Sequence, residues 1–180
     1  MHFPEFKYHP DPIHTGNIIT SNDKCICCGN KTGYIYIGPI FSKAEIHRQI
    51  CPYCISNGLA HQKFDAEFTD YSGIGDYGRW DEVENSIKEE IAFRTPGFIG
   101  WQQTSWWTHC HEGGIFLGNA GKEEIQNYGN QLIIDLKSNS GIPENNWDSY
   151  FNVLSKNDSP TAYIFKCNKC GKLGGYTDSD

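Results

Sequence analysis

The feature that most constrains this chain is a pair of Cys-x-x-Cys motifs separated by 22 residues. Cys25 and Cys28 form the first motif, and Cys51 and Cys54 form the second. A two-residue gap lets one tight turn direct two sulfurs at a metal, and a second turn completes a tetrahedron with Zn–S distances of about 2.3 Å. We therefore predict a zinc site at these four residues. The alternatives are a pair of disulfides and a site in which Cys27 replaces Cys25, which the two-residue spacing disfavours.

A third Cys-x-x-Cys motif, formed by Cys167 and Cys170, indicates a second metal site or half of one. A closed site needs two more ligands, and Cys110 is the obvious third. We take His111 as the fourth ligand, with His109 and Glu112 as alternatives. Three ligands with an open position would instead suit a catalytic zinc, with Glu112 as its base. A reduced cysteine pair without metal remains the third interpretation.

In an extended segment, alternate side chains point to opposite sides. His109 and His111 would then face one side and Cys110 the other, unless a turn at Gly113 and Gly114 changes their directions. The geometry of this segment therefore decides which residue completes the second site.

The chain length indicates one zinc-binding domain over residues 1–180, with an extended arm at 1–20. A chain of 180 residues buries about 70% of its extended surface, so it can form a core without metal or disulfides. Pro4, Pro10 and Pro12 exclude a helix from the arm. His9 and Asp11, which lie between prolines, could form an acid–base or ligand pair, but we expect them to anchor the arm through hydrogen bonds.

The net charge of −7 limits the classes of partner. A four-thiolate zinc site adds about −2 to that charge. The acidic balance makes nucleic acid an unfavourable partner and suits a basic protein partner instead. The N-terminus lacks a signal-peptide pattern and no apolar run reaches the length of a membrane span, so we expect a cytoplasmic protein without membrane contact.

Local patterns predict the α+β class, with short strands and Cys-x-x-Cys zinc knuckles packed against three to four amphipathic helices. Strands are expected near 34–37, 115–117 and 163–166. Helices are expected near 55–64, from a cap at Asp81 to a stop at Pro96, near 122–137 and near 147–154, with a short helix or turn at 42–50.

Three tryptophans, Trp101, Trp106 and Trp107, lie within seven residues and allow two interpretations. They can belong to the core, which is the commoner place for tryptophan, or they can form the floor of a binding site. We favour the core and keep a binding surface as the alternative.

Several short stretches, spread over nearly the whole chain, form a distinctive set. They are Phe6–Pro12 with Thr15 and Gly16, Cys25–Gly29, Gly38-Pro39, Cys51–Ile55 with Gly58, Lys63–Asp65, Arg94–Gly97, Gly100–Gln103, His109-Cys110 and Phe165–Lys172. In these stretches the chain resembles the CbrC family of bacterial proteins, which is associated with colicin tolerance. The resemblance implies a small cytoplasmic cysteine-rich protein and supplies no catalytic residues. The family pattern has a cysteine where this chain has Gly114, which places the second metal site in question.

Three functions follow as hypotheses. The first is a non-catalytic, zinc-stabilised protein that binds another protein, such as a basic toxin domain, in an immunity-like role. It agrees with the acidic charge and with the lack of a phosphate-binding glycine loop, a serine elbow or a His-Glu-x-x-His motif. The second is a metal-dependent enzyme with its site at Cys110, Cys167 and Cys170. The third is a zinc-knuckle nucleic-acid binder, which the net charge disfavours.

Overall fold

The computed structural model describes residues 2–180, and its α+β class is as predicted: two small antiparallel sheets and six α-helices occur in this part of the chain. The strands are β1 (Ile18–Thr20), β2 (Tyr34–Tyr36), β3 (Gly114–Ala120), β4 (Thr161–Cys167) and β5 (Leu173–Asp178). The helices are α1 (Pro52–Ser56), α2 (Leu59–Phe64), α3 (Asn85–Arg94), α4 (Lys122–Tyr128), α5 (Asn130–Asn139) and α6 (Trp147–Val153). None of the helices over residues 2–180 is long and apolar enough to cross a membrane.

Three local predictions are wrong for reasons that the backbone makes clear. The helix expected near 122–137 is two helices, because Gly129 has φ 99° and lies between them. Asp81 does not cap α3, which begins at Asn85 after an extended Glu84. Residues 42–50 contain bends and no helix, so only the helical form of that prediction is wrong.

The larger sheet has the order β3-β4-β5, and its end positions the third cysteine motif. Strand β4 pairs with β3 so that Cys167 lies opposite Gly114. Only Gly113 separates Gly114 from the His109–Glu112 segment. The register shifts between Phe116 and Gly118, which marks a bulge in β3. The sheet therefore brings together two segments that are far apart in the sequence.

Strand β5 is not evident from the sequence because it contains Gly174 and Gly175, which weaken a strand pattern. The structure explains the second glycine. A Cβ on Gly175 would lie 2.0 Å from the carbonyl oxygen of Tyr163 on β4. The close approach of the two strands therefore requires glycine at this position.

In the described part of the chain, residues 2–180, three apolar clusters form the interior. The first surrounds the cysteines at 25–54 and includes Tyr36 and Phe68. The second is aromatic and contains Phe98 stacked on Phe116, with ring centroids 4.1 Å apart. The third lies between α4, α5, α6 and the larger sheet. The cysteines at 25–54 are thus part of a core and not an appendage to it.

The N-terminal arm is fixed by polar groups as well as by aromatic side chains. His9 is fully buried, its Nδ1 donates to the carbonyl oxygen of Pro96 (2.7 Å), and its Nε2 lies 2.6 Å from the Thr15 hydroxyl. Nδ1 carries a proton because it faces a carbonyl oxygen, and burial favours the neutral ring. In that neutral tautomer Nε2 accepts the hydroxyl hydrogen. His9 therefore anchors the arm, as expected, and is held in one tautomer.

Acid should weaken this anchor. Burial lowers the pKa of His9 to about 4, below the ordinary value of 6.5. Between these two pH values, His9 is protonated in the unfolded chain and neutral in the folded chain. The free energy of unfolding therefore falls as the pH falls from about 6.5 to 4. We expect this group to contribute a loss of about 3 kcal/mol in the free energy of unfolding. Urea titrations at pH 7 and 5 should show a smaller difference for His9→Gln than for the wild type, and an equal difference would contradict the assignment.

Candidate metal centres

The four cysteines at 25–54 form a compact sulfur group. The Sγ atoms of Cys25, Cys28, Cys51 and Cys54 all lie within 4.8 Å of one another. Cys25 and Cys54 are 3.8 Å apart, and Cys28 and Cys51 are 4.0 Å apart. A tetrahedral zinc–thiolate site has sulfur separations of about 3.8 Å, whereas a disulfide has about 2.05 Å. All four cysteines are free thiols, so the spacing fits a metal and not the disulfide alternative.

Local hydrogen bonds position each half of this group. In the first turn, the Gly29 amide donates to the carbonyl oxygen of Cys25 (2.7 Å), and Gly29 has the left-handed φ of 74° that such a turn needs. In the second, Cys51 directly precedes α1, and the Cys54 amide donates to the Cys51 carbonyl oxygen (3.1 Å). A bond from the Ile26 amide to the Gln49 carbonyl oxygen (2.9 Å) joins the two halves.

Burial makes it unfavourable for all four thiols of this group to ionise in the absence of a cation. The exposed fractions of Cys25, Cys51 and Cys54 are 2% or less. The hydrogen bond from Cys51 lowers the pKa of Cys25, and the same pairing raises the pKa of Cys51. Burial raises the pKa of Cys54. Four thiolates therefore cannot form together here unless a divalent ion neutralises them.

Cys27 does not belong to the sulfur group. It is buried, its carbonyl oxygen accepts a hydrogen bond from Lys63 Nζ (2.5 Å), and burial raises the pKa of its thiol. The group of four contains Cys25 instead, in line with the two-residue spacing. Cys27 thus provides a matched non-ligand cysteine beside the site.

A second group consists of His109, Cys110, Cys167 and Cys170, whose donor atoms also lie within 4.8 Å of one another. Cys170 Sγ lies 3.6 Å from His109 Nδ1. Tetrahedral zinc with one sulfur and one nitrogen ligand separates those atoms by about 3.6 Å. The three cysteines are those named from the sequence, but the histidine is His109 and not His111.

A tight turn explains the change of histidine. Cys110 and His111 both have left-handed backbones, with φ 58° and 53°, and the His109 amide donates to the Glu112 carbonyl oxygen (3.0 Å). Positive φ at two successive residues reverses the chain direction within this short segment. The turn directs Cys110 and His109 toward Cys167, while His111 Nδ1 lies 3.1 Å from the carbonyl oxygen of Glu82. Of the two geometries considered from the sequence, the segment therefore turns and is not extended, and the turn lies at Cys110 and His111 instead of Gly113 and Gly114.

The third cysteine motif repeats the backbone of the first. The Gly171 amide donates to the carbonyl oxygen of Cys167 (3.0 Å), and Gly171 has φ 75°. The Cys170 amide also lies 3.5 Å from Cys167 Sγ, so it donates toward the sulfur. A turn with the same hydrogen bond and the same glycine conformation thus occurs in both groups.

Neighbouring aromatic and acidic residues have structural roles around the second group. Trp107 is buried and stacks on the His109 ring at 5.3 Å, which fixes the orientation of the imidazole. Glu112 is also buried, and it accepts hydrogen bonds from Tyr8 (2.6 Å), Lys7 (3.1 Å) and the Gly113 amide (2.9 Å). Burial alone raises the pKa of Glu112, but these three hydrogen bonds together lower it.

Of the three tryptophans at 101–107, two belong to the core and one is exposed. Trp106 and Trp107 are buried in the second apolar cluster, and Trp106 Nε1 donates to the Gly114 carbonyl oxygen (2.9 Å). They cannot form the floor of an open binding site. Trp101 is 44% exposed and is the one of the three that a ligand can reach.

Fold and site together define an α+β protein with two four-donor groups suited to metal ions. The chain belongs to the family described as "Uncharacterised protein family (UPF0167)", whose model matches residues 3–179. It is 36% identical to UPF0167 protein Mb2317 of Mycobacterium bovis over 180 residues, which cover 97% of this chain and 92% of that protein. It is 34% identical to UPF0167 protein PA1536 of Pseudomonas aeruginosa over 170 residues, which cover 94% and 93%. No solved structure matches.

These comparisons correct the family assignment made from the sequence motifs. The family that they show is UPF0167 and not the CbrC family. Neither the family description nor the names of these relatives mention colicin tolerance. The expected role in toxin tolerance came from the CbrC resemblance and loses its basis with it.

Proposed function

We propose that the protein is a non-catalytic binding protein of the reducing cytoplasm, built as one domain over residues 1–180 and stabilised by two zinc ions. The observation that carries the proposal is that both donor groups are complete, one with four cysteines and one with three cysteines and a histidine. Four protein ligands are the mark of structural zinc, whereas catalytic zinc keeps a position open. Sulfur and imidazole donors at tetrahedral spacing favour zinc over magnesium or calcium.

The alternative of an enzyme at Cys110, Cys167 and Cys170 requires an open coordination position and a nearby base. His109 fills the fourth position in the donor group. Glu112, the candidate base, already accepts hydrogen bonds from Tyr8, Lys7 and the Gly113 amide. Both observations favour a structural role for the second zinc.

Charge supports a basic protein as the partner. The chain has a net charge of −7, and the two zinc–thiolate groups add about −3. Such a field attracts basic proteins and raises their rate of association, whereas it repels phosphate backbones. Binding to nucleic acid is therefore the less favoured alternative.

Affinity capture with the zinc-loaded full chain, from a lysate of the source organism, tests the partner. We expect the recovered proteins to be basic and to dissociate as salt rises from about 0.05 to 0.5 M, since screening weakens surface charge at these concentrations. Recovery of acidic or salt-insensitive partners would contradict the proposal, as would salt-sensitive binding to DNA in a gel shift.

The two zinc ions should leave at different rates. Cys170 is exposed and Cys110 half-buried, whereas three of the four cysteines in the first group are buried. We therefore expect a colorimetric chelator at neutral pH to release zinc in two phases of equal amplitude. The Cys170→Ser variant should lose the fast phase and keep the slow one. A single phase in the wild type, or loss of the slow phase in the variant, would contradict this assignment.

A further inference from the structure

A cavity of about 340 Å³ lies beside the exposed Trp101, away from the residues that form the two metal groups. It is bounded by the N-terminal arm, by the loop at 99–101, by β3 and by the segment after α6. The lining residues that matter here are Asn17, Ile99, Trp101, Asn119, Lys156 and Asn157. Its volume lies at the lower end of the range of small-molecule sites.

Hydrogen bonds hold the walls of this cavity in place. The Asn17 side chain donates to the Thr15 hydroxyl (3.0 Å) and accepts from the Ile99 amide (3.2 Å). The Trp101 amide donates to the Tyr163 hydroxyl (3.1 Å). A Cβ on Gly100 would lie 2.4 Å from Thr104 Cγ2, so the Thr104 side chain packs closely against this loop. The cavity is thus formed before any ligand binds, which lowers the entropic cost of binding.

The polar groups that face the cavity are mainly donors without protein partners. Over residues 2–180, Lys156 forms no ion pair, and no hydrogen bond occupies the side-chain amides of Asn119 and Asn157 or the Trp101 indole N–H. Among the residues that the structure describes, no carboxylate lines the cavity, although the chain has 22 acidic residues against 15 basic ones. Asn119 follows the β3 bulge, a feature that often re-aims side chains beside binding sites.

We infer that this cavity binds a small carboxylic acid that carries a planar ring. The carboxylate accepts hydrogen bonds from Lys156 and the two asparagine amides, and charge-assisted bonds of this kind are the strong ones. The ring packs against Trp101 and Ile99, which are 44% and 51% exposed in a chain that buries its other tryptophans more fully. A single lysine without arginine suits a monoanion better than a phosphate group.

The adjoining cavity of about 330 Å³ shares Asn119 and Lys156 but continues toward Glu124 and His14. The Glu124 carboxylate accepts a hydrogen bond from the Gly121 amide (3.0 Å). The acidic side chain of Glu124 disfavours a carboxylate ligand in this adjoining cavity. The cavity beside Trp101, whose described lining residues include Lys156 and no acidic residue, is therefore the more favourable of the two.

Titration of the ¹⁵N-labelled, zinc-loaded full chain tests the inference. The probes are indole-3-acetate, benzoate and nicotinate, the neutral indole-3-acetamide, and inorganic phosphate. We expect at least one of the three acids to shift the Trp101 indole N–H and the Asn119 side-chain amide saturably, with the Trp101 signal assigned from Trp101→Phe. For that acid, Lys156→Gln should weaken binding about tenfold, since it removes one charge-assisted bond. Lys43→Gln, at an exposed lysine outside the cavity, should leave binding unchanged.

Several outcomes would overturn the inference. These are no saturable shift with any of the three acids, equal binding of indole-3-acetate and indole-3-acetamide, binding of phosphate alone, or equal effects of Lys156→Gln and Lys43→Gln. The result is independent of the proposed protein partner, because neither the probes nor the variants depend on that partner.

Discussion

Replacing Cys51 with serine is expected to remove one zinc ion and to unfold the part of the molecule around the first sulfur group. Cys51 is fully buried between Cys25 and Cys28 in an apolar cluster that includes Tyr36 and Phe68. Structural zinc contributes about 10 kcal/mol or more in small zinc domains, against a total stability of about 5–15 kcal/mol for a typical protein. We expect the free energy of unfolding of this region to fall by about 5 kcal/mol or more, as measured by hydrogen exchange over residues 18–68. Native mass spectrometry should show that one zinc ion is lost.

Cys27→Ala is the matched control for this experiment. Cys27 is equally buried and lies between two ligands, but it is outside the sulfur group. Its removal should cost about 1–2 kcal/mol, as for an ordinary small core substitution, and should leave two zinc ions bound. If Cys51→Ser retained two zinc ions, or if Cys27→Ala lost one, the ligand assignment at this site would be wrong.

The second large effect concerns the two histidines of the 109–112 turn. His109→Ala should weaken the second zinc by more than about 100-fold, because removing a ligand costs more than removing an outer-shell partner. His111→Ala should bind both ions as the wild type does, since His111 faces the carbonyl oxygen of Glu82. Competition with a zinc-selective dye measures both affinities. A larger loss for His111→Ala than for His109→Ala would restore the ligand chosen from the sequence.

The two metal groups differ in how far the sequence alone could define them. The first is built from two local turns, and the two-residue spacing of the cysteines in each turn is typical of metal ligands. The structure brings the four sulfurs of these turns together. The second joins His109 to Cys170, which are 61 residues apart, through strand pairing. The sequence identifies its three cysteines but gives His109 only as an alternative to His111. The choice of histidine depends on left-handed backbones at Cys110 and His111, which residue types other than glycine rarely adopt.

The same distinction applies to the fold. The helices and strands with clear periodicity were predictable, since burial of one face is a local property of the sequence. The break at Gly129 and the strand β5 were not, because each depends on tertiary contacts or on one glycine conformation. The role of Glu112 was also hidden, since its partners Lys7 and Tyr8 are more than 100 residues away in the chain.

X-ray absorption at the zinc edge of the purified full chain tests the central claim most directly. Closed Cys₄ and Cys₃His sites predict about 3.5 sulfur and about 0.5 nitrogen ligands per zinc, with Zn–S distances of about 2.3 Å. Metal analysis of the same sample should give two zinc ions per chain. Fewer than three sulfurs per zinc, or one or more nitrogen or oxygen ligands per zinc, would contradict the account.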